Sequence, residues 1–106
     1  MIDHTCIVGT RFRGAEAITA IRHMRLNSPV RLEREPHNPH DPLAVACYFK
    51  GVHVGYIPRQ ANERIAQALD HGALVTAIVE TPPGITPSGF IVTEPMLYIE
   101  IAGAQL

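Results

Sequence analysis

Prolines and glycines are spread along most of this chain and divide it into short segments. Nine prolines and eight glycines occur in 106 residues, and each proline disfavours helical conformation at the residue before it. Three of the prolines fall within residues 35–42, so this stretch is predicted to be a loop. The chain is therefore expected to fold into many short elements joined by tight turns.

Patterns typical of β-strands account for most of the remaining segments. Residues 4–8 are β-branched and apolar, and residues 30–34 alternate apolar with charged side chains, which predicts a strand with one buried face. Residues 44–49 and 52–57 flank a lysine–glycine pair and predict a hairpin with a two-residue turn. Later strand material is predicted at 74–80, 91–93 and 97–101, with a proline- and glycine-rich turn at 81–89.

Two short helices complete the predicted fold. Apolar residues recur at helical spacing within residues 15–24. A second helix is predicted to open with Pro58 and to end before Gly72, which is suited to a C-terminal cap. About six strands and two helices predict one mainly β domain of the α+β class over residues 1–106. A small, partly open β-barrel fits this order, because closing the sheet hides strand edges.

The charge of the chain is unevenly distributed. The net charge is -1, with nine basic and ten acidic residues. All nine basic residues and six acidic ones lie in residues 1–64, whereas residues 65–106 hold four acidic residues and no basic one. This asymmetry permits a local phosphate site and argues against a surface that coats a long duplex.

Several kinds of site and segment are not indicated. The sequence has no apolar run of about 20 residues and no signal peptide at its start, so a cytoplasmic protein without membrane contact is expected. Cys6 and Cys47 lie in apolar stretches and are predicted to be buried, reduced thiols. No glycine-rich phosphate loop or Walker lysine is present, so no enzyme activity is expected, and a helicase or nuclease would have to act in trans.

One group of side chains raises the alternative of a metal-dependent enzyme: His37, His40, Asp41 and His53. Imidazole and carboxylate ligands suit zinc or nickel. However, the His-x-x-His spacing falls in a proline-constrained loop and not at the i, i+4 spacing of a metal-binding helix. No metal or other cofactor is therefore predicted.

Three segments of the sequence resemble the HIRAN domain: residues 9–12, 32–45 and 51–59. They occur in the family's order and with similar spacing, and the resemblance extends over about residues 5–100. The HIRAN domain is similar to an OB-fold barrel, and its best-understood members bind the free 3′ end of single-stranded DNA. The resemblance therefore implies an OB-like barrel that captures a 3′-hydroxyl end, with a place in DNA repair or replication restart.

The resemblance also implies eight nucleic-acid-binding residues: Arg11, Phe12, Asn38, His40, Asp41, Tyr56, Arg59 and Phe90. The first pair corresponds to a base that grips phosphate and a ring that stacks on a nucleobase. Asn38, His40 and Asp41 correspond to a loop that holds the terminal nucleotide, and His40 stands where characterised eukaryotic members have tyrosine. Tyr56 and Arg59 correspond to positions that face the backbone, and Phe90 to a late stacking aromatic.

Structural roles remain open for several of these residues. Phe12 and Phe90 could be core side chains, and Asn38 and Asp41 could serve only to shape the loop. Because a carboxylate repels phosphate, Asp41 suits a DNA site only where it contacts a hydroxyl group of the DNA. Two other residues are expected to be solvated: Arg34 and Arg64. The functional alternative to DNA binding is a protein-interaction adaptor on the same barrel.

Overall fold

The structure is a computed structural model that describes residues 1–103. Its strands are β1 (Ile2–Cys6), β2 (Pro29–Arg34), β3 (Val45–Phe49), β4 (Val52–Tyr56), β5 (Leu74–Thr81), β6 (Gly84–Ile85), β7 (Ile91–Val92) and β8 (Met96–Ala102). The helices are α1 (Ala15–Arg22) and α2 (Arg59–Asp70), and a 3₁₀ turn (Thr10–Phe12) precedes α1. The mainly β composition with two helices confirms the predicted fold class.

Six strands form one curled antiparallel sheet in the order β1-β8-β5-β2-β3-β4. A single antiparallel bridge connects Val8, just after β1, to Tyr56 on β4, at the opposite edge of the sheet. Each of these two residues donates its backbone N–H to the other's carbonyl oxygen, at 2.9 Å in both cases. The sheet is therefore a half-barrel whose edges meet at one point, as the OB-like prediction required.

Gly55 allows the sheet edges to approach this closely. Its φ is 151°, which residues with a side chain rarely adopt, and an added Cβ would lie 2.7 Å from Ile7 Cγ2 and collide with the Val8 carbonyl oxygen. Only glycine fits both the backbone conformation and the space. The bridge between the two edges therefore depends on this residue.

The β3–β4 hairpin is confirmed, with Lys50 and Gly51 in its turn. Their φ values are 50° and 82°, and two successive positive φ values are those of a tight two-residue hairpin turn. The second helix begins directly after Pro58, and Gly72, with a φ of 78°, follows its last turn as predicted.

The bounds of three other segments differ from the prediction. α1 ends at Arg22 and not at residue 24, because Asn27 (φ 70°) reverses the chain and Ser28 Oγ accepts the Arg25 N–H at 2.8 Å. β1 spans residues 2–6 and not 4–8, because its ladder with β8 begins at Ile2. β6 and β7 form a separate two-stranded sheet. β6 lies within the segment predicted to be a turn, 81–89, and β7 lies within the strand predicted at 91–93. Pro95 separates β7 from β8 and has no N–H for a ladder.

The core lies between the sheet and the two helices. The largest fully buried side chains of the core include Ile7, Met24, Val45, Val54, Ile65, Val79, Leu97 and Ile99. Cys47 is also buried, as predicted, and burial raises the pKa of its thiol. The prediction was wrong for Cys6, which is only half-buried because it ends β1 and faces a surface cleft.

Candidate nucleic-acid interface

A surface cleft of about 600 Å³ opens beside loop 35–44, and we call it the loop cleft. Its walls come from the 3₁₀ turn, the loop, the end of β4 and the start of α2. Six of the eight residues implied by the sequence resemblance line it: Phe12, Asn38, His40, Asp41, Tyr56 and Arg59. Residues that are up to 47 positions apart in sequence are thus brought to one surface.

Asn38 shapes the loop from within. Its side-chain oxygen accepts the backbone N–H groups of His40 at 2.8 Å and Asp41 at 3.2 Å. Its side-chain amide donates to Glu35 Oε1 at 2.9 Å. An asparagine that bonds to backbone two and three residues ahead replaces the hydrogen bonds that a regular element would supply. The loop therefore has a defined conformation despite its three prolines.

Asp41 is held by partners on both of its oxygens. Oδ1 accepts the Leu43 N–H at 2.9 Å, and Oδ2 accepts the Asn62 side-chain amide at 2.8 Å, with Arg59 Nε 3.7 Å from Oδ2. The hydrogen bond from Leu43, followed by that from Asn62, holds the pKa of the Asp41 carboxyl below its usual 3.8. Because a carboxylate can accept about four hydrogen bonds, both oxygens keep capacity for a further donor in the cleft.

Glu35 connects the loop to the aromatic face of β4. Its Oε1 accepts hydrogen bonds from the Tyr56 hydroxyl and the Asn38 amide, each at 2.9 Å. Burial alone would raise the pKa of Glu35, but these hydrogen bonds outweigh it and keep the pKa below 4.5. Burial, together with donation to Glu35, raises the pKa of Tyr56. The Tyr56 hydroxyl therefore remains protonated at neutral pH and is committed to Glu35.

His53 packs behind Tyr56 and orients it. The two rings meet edge to face with centroids 4.9 Å apart, and the imidazole also stacks on the Tyr48 ring. His53 Nε2 lies 3.1 Å from the Gly55 carbonyl oxygen and must donate to it. Burial, followed by the nearby Arg13 charge, lowers the pKa of His53 below 6.5, so a neutral ring supports this wall of the cleft.

Exposed cationic and aromatic side chains form the rim of the loop cleft. Phe12 is 75% exposed, which excludes the core interpretation of this residue. The Arg59 side chain is 71% exposed and donates to the His40 carbonyl oxygen. Arg11 lines an adjoining cleft of about 590 Å³, the turn cleft, and its guanidinium lies 4.8 Å from the centroid of the Phe12 ring. The rim thus presents positive charge beside an available aromatic face.

Phe90 lies on the β6–β7 hairpin and lines neither the loop cleft nor the turn cleft. It is 71% exposed, so it is not a core residue either. Its backbone N–H donates to Thr86 Oγ1 at 3.0 Å and its carbonyl oxygen accepts the Thr86 N–H at 2.8 Å. Of the eight residues implied by the resemblance, Phe90 is the one that the structure does not bring to either cleft.

Sequence reasoning missed three residues that build this site. Arg34 was expected to be solvated, but its side chain is 13% exposed, donates to the Pro42 and Ala44 carbonyl oxygens and pairs with Asp70. Asn62 is buried on α2 and contacts Asp41. The sequence signal for its burial was its position three and four residues before Ile65 and Ala66, on the buried face of the helix. Arg13 lines the loop cleft two positions after Arg11.

Neither a metal site nor a membrane span is found in residues 1–103. In these residues, no three or more histidine, cysteine, aspartate or glutamate side chains are grouped so as to hold a metal ion. The four candidate ligands, three in the loop and His53 on β4, form no such group. No helix in this part of the chain is long and apolar enough to cross a membrane.

Two solved structures share this fold. A crystal structure of a protein from Lactobacillus plantarum has a TM-score of 0.71 at 26% sequence identity, and the match covers 92% of each chain. The crystal structure of the HIRAN domain of human HLTF has a TM-score of 0.70 at 20% identity and covers 94% of this chain and 74% of that one. No curated protein matches the sequence.

The half-barrel with its loop cleft defines a small OB-like domain of the binding type. Residues 4–95 match the HIRAN domain family, and the chain belongs to that family. HIRAN domains are known for nucleic-acid binding and are binding domains, not catalytic ones.

Proposed function

We propose that this chain binds single-stranded DNA and captures its free 3′-hydroxyl end in the loop cleft. The observation that carries the proposal is the meeting of Asp41, Arg59 and Phe12 at one accessible cleft of about 600 Å³. Their chemistry suits the three parts of a terminal nucleotide, namely the hydroxyl, the phosphate and the base.

Asp41 is proposed to accept a hydrogen bond from the terminal 3′-hydroxyl. Its depressed pKa keeps the carboxylate charged at neutral pH, and each oxygen keeps a lone pair after bonding to Leu43 and Asn62. A terminal phosphate in the same place would bring two anions together. The loop-shaping role of Asp41 therefore coexists with hydroxyl binding and orients the carboxylate for it.

Arg59 and Arg13 are proposed to contact phosphates, and Phe12 and His40 to stack on bases. Both arginines line the loop cleft with exposed side chains, and Phe12 offers an open ring face. Stacking of a base on an aromatic side chain contributes about 1 to 3 kcal/mol and tolerates sequence. Binding is therefore expected to depend on the strand end more than on the base sequence.

Fluorescence anisotropy with labelled oligonucleotides tests this function. A 3′-hydroxyl single strand is expected to bind at least about ten-fold more tightly than the same strand with a 3′-phosphate, because a hydrogen bond is replaced by repulsion. A fully paired blunt duplex serves as the control and is expected to bind more weakly, since its terminal base is stacked and unavailable. Equal affinity for the hydroxyl and phosphate ends would exclude end capture.

The biological setting that we propose is cytoplasmic DNA repair or replication restart, with a helicase or nuclease acting in trans on the captured end. The support is the family membership, since the matched domain structure belongs to human HLTF. Co-purification of an ATP-dependent DNA enzyme with the tagged protein, dependent on an intact loop cleft, is the expected result.

A protein-interaction adaptor is the second candidate function, and the β6–β7 hairpin favours it. Ile85, Phe90 and Ile91 are each more than 70% exposed on this small element. Adjacent exposed apolar side chains often mark a protein-binding surface. Loss of partner binding in an Ile85→Ser/Ile91→Ser double variant, with DNA affinity retained, would support the adaptor function.

A further inference from the structure

The eight arginines fall into two groups that differ in their partners. Four lie within 4.0 Å of a carboxylate: Arg31, Arg34, Arg59 and Arg64. The other four have no carboxylate within that distance in the part of the chain that the structure describes: Arg11, Arg13, Arg22 and Arg25. All members of the second group fall between positions 11 and 25. Arginines without a close carboxylate, which we call the uncompensated group, are therefore concentrated on the 3₁₀ turn, α1 and the residues just after it, a segment in which Glu16 is the one acidic residue.

Three surface clefts follow one another beside that segment. The turn cleft shares Val8 and Phe12 with the loop cleft. At its other end it shares Thr93 with a third depression of about 340 Å³, the helix cleft, which lies between α1 and the β6–β7 hairpin. The three clefts are thus connected through common wall residues.

Each of these clefts carries one arginine from the uncompensated group. Arg13 lines the loop cleft, Arg11 lines the turn cleft and Arg22 lines the helix cleft. All three arginines are exposed. Arginines are therefore spaced along one connected path that begins in the loop cleft, where Arg59 adds a further cation and Asp41 would hold a chain end.

We propose that the three clefts form one groove that carries the DNA strand away from its captured end, with Arg22 contacting a phosphate several nucleotides from that end. The inference rests on the proposed function and extends it from the terminal nucleotide to the path and length of the bound strand. It assigns a phosphate-binding role to α1, which the sequence resemblance did not.

The chemistry of the groove favours a single nucleic-acid strand over an acidic peptide. In the helix cleft, every wall residue other than Arg22 is apolar or uncharged, with Ile18 and Ile21 on α1 and Pro83 on the opposite side. Residues 81–93 contain no charged side chain. Single-stranded DNA alternates an anionic phosphate with a flat base, and spaced cations beside apolar surface match that alternation. Glu94 also lines the turn cleft, so a phosphate there is expected on the Arg11 side.

A length series of 3′-hydroxyl oligonucleotides tests the groove. Lengths from about 3 to about 12 nucleotides cover much of the roughly 4 to 16 nucleotides that an OB fold binds. The affinity of the unaltered protein is expected to rise with length beyond the shortest strands. Arg22→Gln is expected to reduce affinity for the longest strand about two- to five-fold, as for an exposed ionic contact, and to leave affinity for the shortest strand unchanged.

The salt dependence provides an independent readout. With two or three phosphates neutralised, the slope of log K against log salt is expected to lie between about -1.4 and -2.1 for the shortest strands, and to steepen by about 0.7 when Arg22 gains a phosphate on longer ones. Arg22→Gln is expected to remove that increment.

Arg64→Gln is the matched control. It removes the same charge from an exposed arginine that pairs with Asp3 and lines a separate cleft, so it is expected to bind every length as the unaltered protein does. Equal losses in the two variants, or no gain in affinity with length, would overturn the groove. If hydroxyl and phosphate ends bind equally but the Arg22 length effect persists, end capture fails and the groove stands.

Discussion

Two proline-containing segments of this molecule differ in what orders them. Loop 35–44 is tied down by side chains from other elements: Arg34 of β2, Tyr56 of β4 and Asn62 of α2. Residues 84–92 are ordered by their own short β6–β7 ladder and leave large apolar side chains exposed. Polar contacts from a rigid scaffold can hold a binding site in its working geometry before the ligand arrives, whereas a two-residue ladder stabilises a hairpin only weakly.

Loss of the Arg34 side chain is expected to have the largest effect on stability, because Arg34 holds the loop. Arg34→Met keeps the aliphatic stem but removes the side-chain donor to the Pro42 and Ala44 carbonyl oxygens and the pairing with Asp70. The Ala44 carbonyl oxygen keeps the Glu35 N–H at 3.0 Å. The free energy of unfolding is expected to fall by about 2 to 3 kcal/mol, since hydrogen bonds to a charged group are lost at a nearly buried site. Urea denaturation measures the change.

Thr86→Ala is the corresponding change in the hairpin. It removes the acceptor for the Phe90 N–H at an exposed position, and the free energy of unfolding is expected to change by no more than about 0.5 kcal/mol. If the two variants lose similar stability, the loop and the hairpin do not differ as described.

The two exposed phenylalanines, Phe12 and Phe90, test whether DNA binds beside the loop or beside the hairpin. Phe12→Ala is expected to weaken binding of a short 3′-hydroxyl strand by about 1 to 3 kcal/mol with no change in folding, because one stacking surface is removed. Phe90→Ala is expected to have a smaller effect on the same strand, because Phe90 does not line the loop cleft. Anisotropy gives the affinities and a thermal melt checks the fold. A larger effect for Phe90→Ala would place the bound base at the hairpin.

Acid is expected to loosen the loop before the hairpin. The folded-state pKa of Glu35 lies below 4.5, so its contribution to stability is complete above that pH and is lost as the pH falls through the depressed folded value. Residues 81–93 contain no charged side chain. Amide NMR shifts of Asn38 and Asp41 should therefore move below about pH 4.5 while those of Ile85 and Ile91 stay constant. Glu35→Gln should reduce the loop response, and simultaneous movement of both segments would indicate global acid unfolding.

Local sequence signals were sufficient for the elements that depend on neighbouring residues. The β3–β4 hairpin follows from the Lys50–Gly51 turn, and the second helix follows from Pro58 and Gly72. The meeting of Phe12 with the 38–41 loop in one cleft was also anticipated, although through family resemblance and not from local pattern.

The missed features depend on contacts between distant parts of the chain. Arg34 is nearly buried because Asp70, which is 36 residues away, and two loop carbonyl oxygens surround it. The contact between Asn62 and Asp41 likewise spans 21 residues. Cys6 is accessible because a cleft forms beside Glu94 at the far end of the chain. The exposure of Arg34 and Cys6 is set by the assembled half-barrel and has no local sequence signal, whereas Asn62 had one in its helical spacing from Ile65 and Ala66.

The most direct test of end capture compares Asp41→Asn with the unaltered protein on hydroxyl- and phosphate-ended strands. The substitution removes the carboxylate that is proposed to accept a hydrogen bond from the 3′-hydroxyl and to repel a 3′-phosphate. It also weakens the loop contacts to Leu43 and Asn62. Loop loosening lowers both affinities together, so the ratio of the two isolates the role of the carboxylate. We predict that the ratio, at least about ten-fold in the unaltered protein, falls close to one in Asp41→Asn. A ratio that stays unchanged while both affinities drop would show that Asp41 only shapes the loop, and would contradict capture of the 3′-hydroxyl by this residue.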